Sequence, residues 1–242
     1  MINSPDQLNL NIKLDDSVSL DKFIHCESNK EALGFLKKSL EKESVSNLFF
    51  IWGEEGVGKS YIMQALNKEL INLNKQTLHL SLGDSRITSP EILKNLDSLD
   101  AILIEKLDKL ERTNDWEMQL FNLINEALNS QRKIYLSSNI VSKDLAIELK
   151  DLKSRLSYFT AIEIPEITQD EKIDAIYQSS ERKGIELDKK TIDFILNHTS
   201  RSLSDLLRFI NEIDLYSLKK KKKVTPYLIR ELLKVKSDKN RR

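Results

Sequence analysis

Along the chain, short continuous apolar runs alternate with segments whose apolar residues recur every three or four positions. The continuous run at 48–52 reads as a buried strand, and further strands are expected at 76–82, 101–105, 134–137 and 161–164. Five strands separated by helical segments imply a parallel sheet covered on both sides. Between them, 29–40 sets Leu33, Leu36 and Leu40 at helical spacing, 59–73 opens directly after the first strand, and a helix is expected near 90–96. The segment 115–128 aligns Met118, Phe121, Ile124, Asn125 and Leu128 on one face. Strands and helices in alternation predict an α/β fold, a five-stranded parallel sheet with helices on both faces.

Pro165 ends that regime, and no strand pattern follows it. Thr168 with Glu171 three residues on forms a capping-box signature for a helix whose inner face reads Ile173, Ile176, Tyr177 and whose end is marked by Gly184. Further helices are expected near 191–197, 202–218 and 226–233, the last with Thr225 as cap and Pro226 at its first position. The chain therefore divides, by pattern, into an N-terminal extended segment (1–22), a base (23–164), a small all-helical lid domain (165–236) and a basic tail (237–242).

Composition changes this picture little. With 40% hydrophobic and 31% charged residues the 242-residue chain is globular rather than disordered. The 38 basic and 38 acidic side chains cancel, which removes any mean attraction to nucleic acid or anionic membranes. Their distribution is uneven, because 219–242 carries 11 Lys/Arg against Glu231 and Asp238, a local +9. The lysines of 219–223 read as a solvated connection between two helices. A single cysteine, Cys26, excludes an internal disulfide and reads as an inert packed thiol. No basic-then-apolar leader and no apolar run of ~20 residues is present, so a cytoplasmic location is expected.

The chemistry is concentrated after the first strand. Gly53-Glu54-Glu55-Gly56-Val57-Gly58-Lys59-Ser60 matches the phosphate-binding pattern G-x-x-x-x-G-K-[ST] at every fixed position, and it leads through Tyr61 into a helix with Ile62, Met63, Ala65 and Leu66. Backbone N–H groups at such a helix start converge on phosphate. Lys59 then neutralises β- and γ-phosphate oxygens, and Ser60 places its hydroxyl on Mg²⁺. The strand 101–105 ends in Glu105, the candidate second magnesium residue. Lys106 follows where hydrolases of this layout usually carry an acid, so intrinsic hydrolysis should be slow. Asp108 reads as a surface residue.

These residues resemble the AAA+ ATPase module of the DnaA replication-initiator family, and most of all its Hda branch, whose members inactivate DnaA. The carriers are the phosphate loop, the strand 101–105, the segment Trp116-Glu117-Met118-Gln119-Leu120-Phe121-Asn122-Leu123, Ser137-Ser138-Asn139 and Leu152-Lys153-Ser154-Arg155-Leu156. The resemblance implies ADP or ATP with Mg²⁺ as ligands, Asn139 as the sensor 1 side chain, and Arg155 as an arginine finger acting on a neighbour's nucleotide. At the family's sensor 2 position stands Ser204, with Arg201 one turn earlier. The resemblance also implies that Gln7, Leu8, Leu10 and Ile12 form a motif for the β sliding clamp of DNA polymerase III; pattern alone reads them as an edge strand.

The implied partners are DnaA, the clamp and, through the clamp, DNA, with homo-oligomer formation left open. The chain ends where DnaA would continue into a DNA-binding domain. Three activities fit: a clamp-tethered regulator promoting hydrolysis of DnaA-bound ATP, an ATP-driven loader or remodeller acting on DNA or a helicase, and a nucleotide-binding scaffold.

Overall fold

The computed structural model describes residues 18–41, 44, 46–87, 89–111, 113–198 and 202–239. The clamp-like motif at 7–12 and Arg201 lie outside them. In chain order the elements are α1 (Lys30–Ser39), β1 (Leu48–Trp52), α2 (Lys59–Asn72), β2 (Thr77–Ser81), β3 (Ala101–Glu105), α3 (Asn114–Leu128), β4 (Lys133–Ser138), α4 (Lys150–Leu156), β5 (Thr160–Glu163), α5 (Gln169–Glu181), α6 (Lys189–His198), α7 (Leu203–Lys220) and α8 (Pro226–Lys239).

The five strands form one parallel sheet in the order β2-β3-β4-β1-β5. Successive residues of each inner strand serve opposite cores. Leu48 and Phe50 of β1, Ile102 and Ile104 of β3, and Ile134 and Leu136 of β4 pack with α3 and α4. Phe49, Ile51, Leu103 and Tyr135 pack with α1 and α2 on the other side. Burial on both faces is why these strands read as unbroken apolar runs.

Three helical expectations are corrected. Near 90–96 there is only a 3₁₀ turn, Pro90–Leu93. Ser89 caps it, but Lys94 is already extended and Asn95 takes a positive φ of 56°, which a continuing helix does not allow. In α3 the buried residues are Trp116, Glu117, Leu120, Leu123, Ile124 and Ala127, while Met118 and Leu128 are exposed. Apolar residues occur nearly all round this helix, and the expected stripe overlaps the buried one only at Ile124, with Phe121 partly buried at its edge. In α5 likewise, Ile176 and Ala175 are buried whereas Tyr177 is exposed.

The lid helices α5 to α8 close their own core, centred on Ile176, Ile192, Ile195, Leu206, Ile210 and Ile213. Local signals hold as expected. Thr168 and Glu171 form the capping box of α5, Gly184 turns with φ +66° beyond its end, and the Thr225 hydroxyl accepts from the Leu228 N–H at the start of α8. The lysines at 219–223 are exposed. Lys219 and Lys220 complete the last turn of α7, and Lys221 caps it in the left-handed region. No helix among the described residues is long and apolar enough to cross a membrane.

The lid meets the base through a small apolar seam, Ile24 with Ile167, Ala175 and Leu203, and through a few polar contacts. The Ser28 N–H and hydroxyl donate to the Glu171 carboxylate at 3.0 and 2.6 Å. The Ser204 N–H donates to the Gly56 carbonyl at 3.1 Å, setting the start of α7 on the phosphate loop.

Candidate functional site

The C-terminal ends of three neighbouring strands and the start of α7 enclose a cleft of about 700 Å³. Such an edge is where open α/β sheets bind ligands, because helix starts and strand-end loops converge there. The loop after β1 forms its floor. Gly53, Gly56 and Gly58 take φ of 154°, 88° and 101°. A Cβ on Gly58 would lie 2.7 Å from the Phe23 ring, and one on Gly56 would lie 2.6 Å from the Ser202 Cβ. Side chains are therefore excluded by backbone conformation and by space together.

Lys59 opens α2. Its Nζ donates to the carbonyls of Gly53 and Glu54, each at 2.7 Å, so the ammonium is held inside the loop it serves. Burial pulls its proton affinity down, opposed by the charges of Asp108, Glu55 and Glu105 in that order. Ser60 is exposed on the cleft wall, and Tyr61 exchanges hydrogen bonds of 3.3 Å with the backbone of Ser19, bracing the segment ahead of α1 over the loop.

Glu105 is placed differently from the expectation. It ends β3 only 5% exposed, does not line the cleft, and stands 2.7 Å from the Nε2 of His79 on β2, whose side chain is equally buried. What faces the cleft from this strand tip is Lys106, in the left-handed conformation at φ 60°, and Lys109. Of the expected pair of magnesium residues only Ser60 reaches the cleft, beside two lysines, and this set does not fit a magnesium site of the expected kind.

Asn139, just beyond β4, lines the cleft between these two groups. Its backbone N–H and its Nδ2 donate to the two oxygens of Asp108, at 2.9 and 3.2 Å. Asp108 is thus half-buried and holds Asn139 in place, a correction to its reading as a surface residue. A periodicity argument misses it because the contact joins two loops that are separate in sequence.

The lid completes the wall with Ser202, Ser204, Asp205 and Arg208. Ser204 contributes no charge. Arg208, one turn further along α7, supplies a guanidinium, paired with Asp205. Sequence reading passed over it, although the spacing of four from Ser204 puts both on one helix face.

Arg155 is elsewhere. It lies on α4, outside the cleft, with its guanidinium carbon 5.9 Å from the Phe121 ring centre and 5.5 Å from that of Tyr158. The start of α4 is tied down by Glu117, buried in α3, whose carboxylate accepts the N–H groups of Glu148 and Leu149 at 2.6–3.1 Å. A carboxylate at a helix N-terminus satisfies donors that the helix cannot. Cys26 is half-buried, and burial with the charges of Glu171 and Asp174 pushes its thiol up to about 11, so it is protonated and unreactive at neutral pH.

Comparison with known proteins places this geometry. Residues 14–163 match the family described as the bacterial DnaA ATPase domain, and residues 169–233 match the description "Hda, lid domain". An uncharacterized protein of Haemophilus influenzae is 25% identical over 228 residues, spanning 94% of this chain and 98% of its own. Among solved structures, domain III of the Thermotoga maritima replication initiation protein DnaA superposes with a TM-score of 0.77 at 18% identity, covering 91% of this chain and 97% of that one. AMPPCP-bound DnaA from Aquifex aeolicus gives 0.73 at 24% identity, covering 85% and 68%. The RuvB Holliday junction branch migration motor of Thermotoga maritima gives 0.66 at 17%, covering 90% and 71%.

Proposed function

The chain belongs to the bacterial DnaA ATPase-domain family, and from that premise we propose that it is a nucleotide-bound regulator of replication initiation that promotes hydrolysis of ATP on a DnaA partner. The cleft takes an adenine nucleotide, ADP or ATP, with its phosphates on the loop Gly53 to Ser60 and its terminal phosphate toward Asn139. The AMPPCP bound to the Aquifex aeolicus DnaA supports this ligand class.

The observation that carries the regulatory reading is the mounting of Arg155. A guanidinium meant for another subunit's phosphate must stay out of its own cleft and keep a fixed direction. Arg155 is not among the residues lining the cleft and is flanked by two rings, on a helix whose start is anchored by a buried carboxylate. Such a charge stabilises transferring phosphoryl oxygens and can be worth ~10³–10⁵ in rate. The chain's own cleft, by contrast, presents lysines where a water-activating acid would stand.

Tethering to the sliding clamp through Gln7, Leu8, Leu10 and Ile12, and through the clamp to DNA, rests on the resemblance of that segment to the Hda clamp motif, since its alternation alone reads as an edge strand. The test combines the protein with clamp-loaded DNA and ATP-bound DnaA and follows phosphate release. Wild type should accelerate release and Arg155→Ala should not. Equal stimulation by both proteins rules the mechanism out.

A loader or remodeller working by its own turnover is the second reading. It is favoured by the exposed basic end of the lid, Lys219, Lys221, Lys222 and Lys223. It requires brisk hydrolysis by the isolated protein, abolished by Lys59→Ala.

A further inference from the structure

The tip of β3 is where metal-dependent phosphate clefts of this layout present carboxylate, and here it presents ammonium groups. We propose that Lys106 and Lys109 do the electrostatic work of a divalent cation, so that the cleft retains a nucleoside polyphosphate without magnesium. The inference rests on the nucleotide reading of the cleft and goes further, since it names how that site neutralises its ligand.

Three observations carry it. First, Glu105 is committed elsewhere. Its side chain and that of His79 are 7% and 8% exposed and 2.7 Å apart, on the same face of adjacent strands, and neither lines the cleft. Freeing Glu105 for a hydrated metal would leave a buried histidine without this partner.

Second, the charges around the cleft are mostly positive. Lys59, Lys106, Lys109 and Arg208 line it against Glu55 and Asp205, and Asp205 is paired with Arg208. With Arg208 and Asp205 cancelling each other, the three lysines against Glu55 leave a net +2 facing a nucleoside polyphosphate, the charge that one dication would bring. A dication placed among the same lysines would meet like charge at short range, an unfavourable interaction of the kind that Coulomb's law makes largest in a partly buried site.

Third, the lysines are held where they are useful. Lys106 adopts the left-handed conformation that turns the chain sharply after β3, and its stem packs against Gly83, where an added Cβ would lie 2.9 Å from the Lys106 Cδ. Lys109 closes the short 3₁₀ turn Leu107–Lys109 that follows. Between them Asp108 faces inward and binds Asn139, and both lysines line the cleft, Lys106 with its ammonium group beside Gly83 and acting also on Asp84.

Titration calorimetry of ADP, run with millimolar magnesium and again with excess EDTA, tests this. For the wild-type chain the two dissociation constants should differ by less than about fivefold, short of the roughly tenfold that one charged hydrogen bond contributes. The double variant Lys106→Asn, Lys109→Ser should bind at least about tenfold more weakly in EDTA and recover in magnesium. Asparagine tolerates the left-handed position, and both lysines are exposed, so the variant keeps the fold. A wild-type affinity that falls more than fivefold in EDTA overturns the proposal, as does a double variant that binds like wild type there. Absence of binding in both buffers would instead remove the nucleotide reading itself.

Discussion

The base and the lid contribute opposite walls of one cleft, yet they are held together on different terms. In the base, every inner strand is buried on both faces, and the phosphate loop is backed by Phe23 and Ile164 so closely that added carbon atoms would collide. The lid has a core of its own and touches the base through the small seam at Ile24 and through polar contacts of Glu171, Gln178, Arg182 and the Ser204 N–H. A rigid wall can hold phosphate at fixed distances, whereas a wall hinged on a few polar contacts can follow the ligand. The difference implies that nucleotide affinity lives in the base and ligand-dependent movement in the lid.

The largest expected effect separates the two cores. Phe50→Ala should cost about 3–5 kcal/mol and unfold the base early, while Ile210→Ala should cost about 2–5 kcal/mol within the lid. Both tryptophans, Trp52 and Trp116, belong to the base, so their fluorescence reports that half alone. For Ile210→Ala, the helical circular-dichroism signal should fall in urea before the fluorescence does. Coincident transitions would mean that the halves unfold as one unit.

Next in size is the split of binding energy across the cleft. Lys59→Ala removes a charged partner of the phosphates and should weaken ADP by about tenfold to a hundredfold in calorimetry, from the ~1.5–3 kcal/mol of a charged hydrogen bond. Arg208→Ala should cost less, roughly threefold to tenfold, since Arg208 must first leave Asp205. An equal loss from the lid arginine would erase the distinction between the walls.

The smallest effect sharpens the seam. The Ser28 hydroxyl, then the Ser28 and Thr168 N–H groups, hold the Glu171 carboxyl at about 2, below its ordinary 4.5. A group with a depressed folded pKa contributes stability above its unfolded value and loses it as pH falls through the folded one. Amide exchange along α5 should therefore rise between about pH 4.5 and 2 while the strands stay protected, and Ser28→Ala should remove most of that dependence. Exchange rising equally in β1 would place the acid-sensitive contact in the base.

How far these parts were legible beforehand follows the range of the forces involved. The phosphate loop, the five strands, the capping box at Thr168 and Glu171, and the cap at Thr225 are written within a few consecutive residues, because turn conformation and helix ends are local matters. The inner face of α3 was not legible in the same way. With apolar residues at Trp116, Met118, Leu120, Phe121, Leu123, Ile124, Ala127 and Leu128, two stripes compete, and only packing against β4 and α4 selects one.

Glu117 is a similar case. On pattern it is one charged residue among others, and its task emerges only where the chain from Glu148 onward crosses α3 and leaves two N–H groups in need of an acceptor.

By itself, then, the order of residues determined the parallel sheet, the glycine loop with Lys59 at a helix start, and a helical appendage after Pro165, since each depends on periodicity or on backbone freedom at single positions. Tertiary structure decided which carboxylate each loop could use. His79 took Glu105, Asn139 took Asp108, and Lys106 and Lys109 were left facing the cleft. Hydrogen bonds and charge pairs reach only a few ångströms, so their partners are settled by which segments folding brings together.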